Sequence, residues 1–193
     1  MPVFKQYTEN SYRWGIWKTS ESLEEMLALL PHKGKYEEGI GKFAAGSRRL
    51  EWLAVRVLLY TMFGEEKEIR YYSNGKPYLA DGSFSISISH TKGYVVVLLG
   101  DPKKEVGIDI EYYSERVRKV AHKFMRADEQ ESLFRGTETW SLLLHWSAKE
   151  TMFKCMNAFD VDFREHLHVM PFKIDEQGVF SAAEYRTAEK RNF

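Results

Sequence analysis

The stretch Val106-Gly107-Ile108-Asp109-Ile110-Glu111, with the later run Trp146-Ser147-Ala148-Lys149-Glu150-Thr151-Met152-Phe153-Lys154, decides the fold. The first run alternates apolar and acidic residues, which predicts a β-strand. Residues two apart on a strand point to the same face, so Asp109 and Glu111 are expected side by side. The second run predicts an α-helix, so the chain brings a strand and a helix to one candidate site.

On the predicted helix, Glu150 and Lys154 lie four residues apart and share a face. Together with Asp109 and Glu111 they give three carboxylates and a lysine, a set that suits a hard divalent cation and a phosphate ester. Glu150 would then contact the metal, act as a base, or both. Lys154 would hold a phosphate or stabilise the leaving group.

Each part of this pattern also has a purely structural explanation. An Asp/Glu pair is common at the edge of a strand, and a Glu–Lys pair four residues apart is common on exposed helices. Each pair alone is better explained in this way. The residue spacing by itself does not decide between the two explanations.

Composition sets limits on the class of protein. The chain has 193 residues, enough for one medium domain or two small ones, and 44% of them are apolar. Its 28 basic residues equal its 28 acidic residues, which argues against a general nucleic-acid or membrane-surface binder. The single cysteine, Cys155, cannot form an internal disulfide and fits a reducing compartment.

The sequence predicts a soluble protein of the cytoplasm. It contains no apolar run of about 18 residues or more, so no membrane span is expected. Residues 1–7 lack a basic start followed by an apolar core, so no secretory signal is expected either.

Upstream, residues 42–63 predict an amphipathic helix with a strong apolar stripe. Arg48 and Arg49 lie toward its start, where backbone N–H groups also point outward, so an anion could be held from two sources. The alternative is a solvated basic patch, and the spacing alone favours that alternative.

Two further segments carry polar residues at turns. Lys76 lies between the Asn74-Gly75 turn and a proline, and a rigid loop suits a lysine that meets a phosphate. Residues 84–90 and 94–99 predict a β-hairpin with Ser89 and His90 at its lip. A histidine at such a place is as well explained by packing as by function.

The turn-rich, charged residues 100–105 mark the predicted boundary between two halves, 1–102 and 103–193. In the second half, helices are expected at residues 114–124, from residue 126 to 134, and from residue 139 to about residue 157, the last of which carries the Trp146–Lys154 run. A final hairpin is expected from residues 167–174 and 178–185. Both halves place a helix before antiparallel strands, which predicts an α+β fold of two similar halves in a pseudo-two-fold arrangement.

The two signature runs closely resemble those of the 4'-phosphopantetheinyl transferases. The upstream segments Asn74–Tyr78 and Ile88–Thr91, and the basic helix with Arg48 and Arg49, are similar to motifs of the larger, surfactin-synthetase-activating class. The resemblance covers residues 42–155, with the motifs in the order of that family.

The resemblance implies two similar α+β halves in one monomeric chain, with coenzyme A bound in the cleft between them. It also implies a Mg2+-dependent holo-acyl-carrier-protein synthase. Such an enzyme transfers 4'-phosphopantetheine from coenzyme A to a serine of an acyl or peptidyl carrier protein and releases adenosine 3',5'-bisphosphate. The identity of the carrier protein does not follow from the sequence.

The resemblance also implies a role for individual residues. Asp109, Glu111 and Glu150 would hold the metal, with Glu150 as base, and Lys154 would contact the pyrophosphate and assist the leaving group. The residues that would bind the coenzyme A phosphates are Arg48, Arg49, Lys76, Ser89 and His90, with His90 and one of the two arginines on the 3'-phosphate side. Glu129 matches a glutamate found between the two signatures and is a possible further site residue.

Two other functions use the same residues. One is a non-catalytic module that binds coenzyme A or a carrier protein, although such a module has no need to keep three carboxylates and Lys154 together. The other is a Mg2+-dependent nucleotide pyrophosphohydrolase with water as nucleophile, which would release the bisphosphate from coenzyme A without a carrier protein.

Overall fold

The computed structural model describes residues 3–9, 11–156 and 158–193. It divides into two units, Met1–Ile110 and Glu111–Phe193. The sequence placed the boundary earlier, between residues 102 and 103. Residues 103–110 stay with the first unit because Val106 packs so closely on Gly100 that a Cβ there would lie 2.5 Å from Val106 Cγ1.

The strands of the first unit are β1 (Val3–Glu9), β2 (Tyr12–Lys18), β3 (Ile69–Tyr71), β4 (Pro77–Leu79), β5 (Ser85–Thr91) and β6 (Tyr94–Gly100). Four of them form an antiparallel sheet of order β1-β2-β6-β5. The helices of this unit are α1 (Leu23–Ala28), α2 (Lys33–Gly41) and α3 (Gly46–Phe63). The predicted hairpin is confirmed as β5 and β6, with His90 paired to Val95 at the lip.

The long helix predicted upstream is also confirmed, although it begins at Gly46 rather than Lys42. Its apolar stripe packs against β2 and β6, and Leu53, Val57 and Leu58 are fully buried there. Burial of such side chains contributes about 1.5–3 kcal/mol each. The core of this unit therefore fixes α3, and with it the positions of Arg48 and Arg49, against the sheet.

The predicted strand Val106–Glu111 is wrong, because none of the described residues of this segment belongs to a strand. The backbone N–H of Ile108 donates instead to the Ser87 hydroxyl on β5, at 3.1 Å. This bond attaches the segment to β5 through a side chain of that strand. Alternation of apolar and acidic residues does not reveal such a bond.

The second unit combines helices with a small hairpin. Its elements are α4 (Arg116–Val120) with a 3-10 turn at Ala121–Lys123, α5 (Thr139–Cys155), α6 (Phe163–His166), β7 (Leu167–Val169) and β8 (Ala182–Glu184). The strands β7 and β8 pair antiparallel, so the final hairpin is confirmed with shorter strands than predicted. Two apolar clusters flank α5, one around Phe124 and Leu142 and the other around Met152 and Leu167.

The helix predicted from residue 126 is wrong, because residues 126–133 form no regular element. The Glu129 side chain turns inward and accepts a hydrogen bond from the backbone N–H of Arg126, at 2.9 Å. The Glu129 side chain therefore takes part in a buried ion pair and not in the first turn of a helix.

Helices and antiparallel strands occur in both units, so the predicted α+β class is confirmed. The pseudo-two-fold relation between the halves stays a prediction. Among the described residues, no helix combines the length and the apolar character needed to cross a membrane.

Candidate active site

In the first unit, α3 and β5 bring Arg48 and His90 together. Arg48 Nη1 lies 2.9 Å from His90 Nε2. A guanidinium can only donate, so the imidazole nitrogen accepts. Glu51, one turn along α3, accepts from Arg48 at 3.2 Å and lies 3.5 Å from His90 Nδ1. These three residues, the Arg48 cluster, form a partly exposed group of two basic residues around one carboxylate.

A pocket of about 550 Å³ opens beside the Arg48 cluster. Aromatic side chains form much of its wall: Phe43, Trp52 and Tyr71. Arg56 lies against the Trp52 ring, with its guanidinium carbon 3.5 Å from the ring centroid, and donates to the Trp52 carbonyl at 2.8 Å. Volumes of about 300–1,000 Å³ are usual for small-molecule sites. An aromatic wall beside a basic cluster suits a ligand with a flat ring and a phosphate.

The position of Trp52 depends on a glycine of α2. A Cβ on Gly39 would lie 2.3 Å from the Trp52 ring, far inside contact distance. Gly39 therefore allows the indole to pack against α2 and hold its place in the pocket wall.

The structure separates the two arginines that the sequence placed together. Arg48 lines the pocket, whereas Arg49 donates from Nε to the Phe43 carbonyl, at 2.7 Å. Lys76 pairs with Glu105, and its loop neighbours Gly75 and Pro77 line the pocket. An anion would therefore compete with a carboxylate for Lys76.

Ser89 orients a predicted metal ligand in this structure. Its hydroxyl donates to Asp109 Oδ1, at 2.8 Å. Together with the bond from Ile108 to Ser87, this contact ties the segment after β6 to two hydroxyls of β5. Alternation along β5 places Ser87 and Ser89 on one side of the strand. The sequence did not predict that this side holds the segment after β6.

In the second unit, α5 carries Trp146, Glu150 and Lys154. The Trp146 indole N–H donates to Glu111 Oε1, at 2.7 Å, which orients the second predicted ligand. Glu150 and Lys154 are both half-buried on this helix. The helix therefore holds one carboxylate directly and orients another through its tryptophan.

A buried ion pair lies behind this part of α5. Lys149 and Glu129 have fully buried side chains, with Lys149 Nζ 2.7 Å from Glu129 Oε2. Burial lowers the pKa of Lys149, while the Glu129 carboxylate acts to raise it. The sequence analysis gave Lys149 no role, although its position on the helix could have indicated one. Lys149 falls on the apolar stripe with Leu142 and Met152, and a charge on a buried stripe needs a buried partner.

The donor chemistry of the predicted metal set fits Mg2+. Carboxylate oxygens are the ligands that Mg2+ prefers, and Asp109 and Glu111 are each oriented by a hydrogen bond. Within neither unit do the described residues include three or more histidine, cysteine, aspartate or glutamate side chains clustered for a metal ion. The set draws on both units, because Glu111 and Glu150 belong to the second, so its assembly stays a prediction.

Comparison with known proteins concerns mainly the second half of the chain. Residues 105–193 match the model of the 4'-phosphopantetheinyl transferase superfamily. A relative from Thraustochytrium sp., named phosphopantetheinyl transferase, is 39% identical over 88 residues. That match covers 40% of this chain and 30% of the relative. The predicted resemblance to the superfamily is confirmed over residues 105–193, and the surfactin-synthetase-activating class stays a prediction.

Proposed function

We propose that this protein transfers 4'-phosphopantetheine from coenzyme A to a serine hydroxyl of an acyl or peptidyl carrier protein and releases adenosine 3',5'-bisphosphate. In this proposal the first unit binds coenzyme A and the second carries the acid–base chemistry. The match to the superfamily supports the second part only, because it begins at residue 105.

The observation that carries the proposal is the contact between Arg48 and His90, at 2.9 Å. Both residues lie outside the part of the chain that matches the superfamily, and they are 42 positions apart. The resemblance had placed His90 and one of the two arginines, Arg48 or Arg49, on the 3'-phosphate side. The fold of the first unit supports that assignment independently of the family match.

A phosphate monoester would replace contacts that the Arg48 cluster already makes. Arg48 and His90 would donate hydrogen bonds to its oxygens, and Arg48 would exchange its hydrogen bond to Glu51 for one to the ligand. The aromatic wall beside the cluster would receive the nucleobase, since stacking on an aromatic ring stabilises a flat base by about 1–3 kcal/mol. We therefore assign the pocket to the nucleotide end of coenzyme A.

In the second unit, Glu150 would act as base. The serine oxygen forms a bond to the pantetheine-linked phosphorus, the pyrophosphate P–O bond breaks, and the hydroxyl proton passes to the Glu150 carboxylate. Lys154 would donate to the departing phosphate oxygen. Mg2+ held by Asp109, Glu111 and Glu150 would offset the charge of the pyrophosphate.

The proposal is tested by intact-mass spectrometry of a panel of apo carrier proteins incubated with this protein, coenzyme A and Mg2+. A gain of one phosphopantetheine group that EDTA abolishes is the expected result. Glu150→Gln should lose most turnover. Glu176→Gln, an exposed glutamate of the same unit that pairs with Arg135, should retain it.

Two other outcomes would replace the proposal. Coenzyme A binding without modification of any carrier would favour a binding module. Release of the bisphosphate with no carrier modified would favour a pyrophosphohydrolase. Near wild-type turnover of Glu150→Gln at saturating Mg2+ would remove Glu150 from the catalytic set.

A further inference from the structure

Lys149 uses every proton of its ammonium group inside the second unit. Nζ donates to the Phe124 carbonyl at 2.6 Å, to Glu129 Oε2 at 2.7 Å and to the Phe163 carbonyl at 3.2 Å. An ammonium group has three protons, so its hydrogen-bonding capacity is filled. One side chain thus ties α5 to the segment after α4 and to α6.

Glu129 is enclosed from the other side. Its Oε2 also accepts from the backbone N–H of Arg126 at 2.9 Å, and its Oε1 accepts from the backbone N–H of Val169 at 2.8 Å. The carboxylate is fully buried, so contact with a substrate or a cation would require these bonds to break. The hydrogen bonds of this carboxylate therefore all go to partners within the second unit.

We propose that Lys149 and Glu129 are positioning residues that fix the rotation of α5, and thereby the direction in which Glu150 and Lys154 point. The inference rests on the proposed function, because it assigns those two residues to the reaction. Lys149 precedes Glu150 directly, and adjacent residues on a helix are held about 100° apart. An anchor on Lys149 therefore sets the direction of Glu150 through the rigid backbone between them.

The rings around Trp146 support the same conclusion. Phe124 and Phe163, whose carbonyls hold Lys149, also pack their rings on Trp146, with centroids 5.3 and 5.6 Å away. The Trp146 indole in turn donates to Glu111 at 2.7 Å. The anchor of α5 and the orientation of Glu111 therefore depend on one group of contacts.

An ion pair is an expensive way to fill buried space. Apolar side chains of similar volume often stabilise a core as well or better. Apolar packing does not fix the direction in which a side chain points. Lys149 and Glu129 do fix it, because they have partners at defined distances on four segments of the chain. A catalytic geometry misplaced by about 1 Å can lose roughly 100-fold in rate, so direction matters more here than the packing of the core.

The test removes both charges at once, in the double variant Lys149→Met/Glu129→Gln, so that no charge is left buried without a partner. We expect the double variant to fold, while its kcat falls roughly 100-fold and its KM for coenzyme A stays unchanged. The matched control is Glu184→Gln. Glu184 is an equally buried carboxylate of this unit that accepts from the backbone N–H groups of Arg186, Thr187 and Arg191.

A second readout does not depend on activity. The chain has five tryptophans, and the indole N–H signal of Trp146 in a nitrogen–proton NMR spectrum can be assigned with Trp146→Phe. This signal should move in the double variant and stay in place in Glu184→Gln. A wild-type indole signal, or a wild-type kcat, in the folded double variant would overturn the inference.

The two proposals can fail separately. If the wild-type protein modifies no carrier, the proposed function fails, and the indole signal alone decides whether the ion pair sets the placement of α5. If carriers are modified and the double variant matches wild type, only the positioning roles of Lys149 and Glu129 are lost.

Discussion

The two units place opposite charges together in contrasting ways. In the first, Arg48 contacts Glu51 and His90 with 58% of its side chain exposed, whereas in the second Lys149 contacts Glu129 with none exposed. An exposed ion pair contributes about 0–1 kcal/mol, so a ligand can replace one partner easily. A buried pair strongly resists the loss of one partner. The Arg48 cluster therefore suits exchange with an anion, and the buried pair suits the fixing of a helix.

The largest effect should follow from breaking the buried pair on one side only. Lys149→Met leaves the Glu129 charge buried without its partner, so the free energy of unfolding should fall by about 3–5 kcal/mol. Urea denaturation followed by circular dichroism measures this change. Lys173→Met, at an exposed lysine of the same unit, is the control.

Adding Glu129→Gln to Lys149→Met should restore part of the lost stability, because no unpaired charge then stays in the core. If Lys149→Met costs no more than its control, or if the second change deepens the loss, the Lys149–Glu129 pair is not the buried anchor described above.

A change in the exposed Arg48 cluster should weaken ligand binding strongly and lower the stability of the fold only slightly. Arg48→Gln removes a charged donor, so coenzyme A should bind roughly 10–150-fold more weakly, from a loss of about 1.5–3 kcal/mol. The free energy of unfolding should change by no more than about 0.5 kcal/mol. Calorimetric titration and urea denaturation measure the two quantities.

Two controls sharpen the Arg48 prediction. Arg70→Gln changes an exposed arginine of the same unit that pairs with Glu68, and it should leave binding unchanged. Dephospho-coenzyme A lacks the 3'-phosphate, so wild type and Arg48→Gln should bind it almost equally. An equal loss for both ligands would place Arg48 away from the 3'-phosphate.

His145 extends the comparison to pH, since its side chain is buried on α5 and donates to the Ser141 carbonyl at 2.8 Å. Burial lowers the pKa of His145, so the folded state keeps the imidazole neutral where the unfolded state takes a proton. Stability should therefore fall as pH drops below about 6.5, by up to about 1.4 kcal/mol per pH unit. Urea denaturation across this range should show that the free energy of unfolding depends less steeply on pH in His145→Gln than in wild type.

The control is His122→Gln, at an exposed histidine. An unchanged pH dependence in His145→Gln, or the same change in His122→Gln, would contradict the role of His145.

Local patterns predicted the elements of the fold where the partner of each residue was near in sequence. Strict alternation predicted the hairpin of β5 and β6, and the apolar stripe of residues 42–63 predicted the long helix α3. Both features depend on neighbours a few residues away, so the periodicity of the sequence contains the information.

Features that depend on distant partners were not predictable in the same way. The Val106–Glu111 segment alternates like a strand, yet it forms none, and its Ile108 N–H donates to the distant Ser87 hydroxyl. The Glu129 region carries helix-start residues, yet a lysine 20 positions later draws its carboxylate inward. The motif resemblance named Glu129 as a candidate, but only the tertiary contacts distinguish a residue that touches substrate from one that positions α5.

The smallest effect belongs to an exposed pair in the first unit. Asp81 accepts from Lys67 at 2.8 Å and from the backbone N–H of Ser83 at 3.0 Å. These contacts, the bond from Lys67 first, lower the pKa of Asp81 to about 2. Since the folded pKa is depressed, the stabilisation is present above the unfolded value of about 3.9 and is lost as pH falls through about 2.

Asp81→Asn should cost only about 0.2–1 kcal/mol at neutral pH, because 44% of this side chain is exposed to solvent that screens the pair. The difference in unfolding free energy between wild type and variant should shrink as pH falls below about 3.9. Carboxyl carbon NMR of Asp81 provides the direct check, with a midpoint near 2 expected. A midpoint at the ordinary aspartate value would show that solvent competes successfully for Lys67. Exposed ion pairs of this unit would then give up a partner to a ligand even more easily than we propose for the Arg48 cluster.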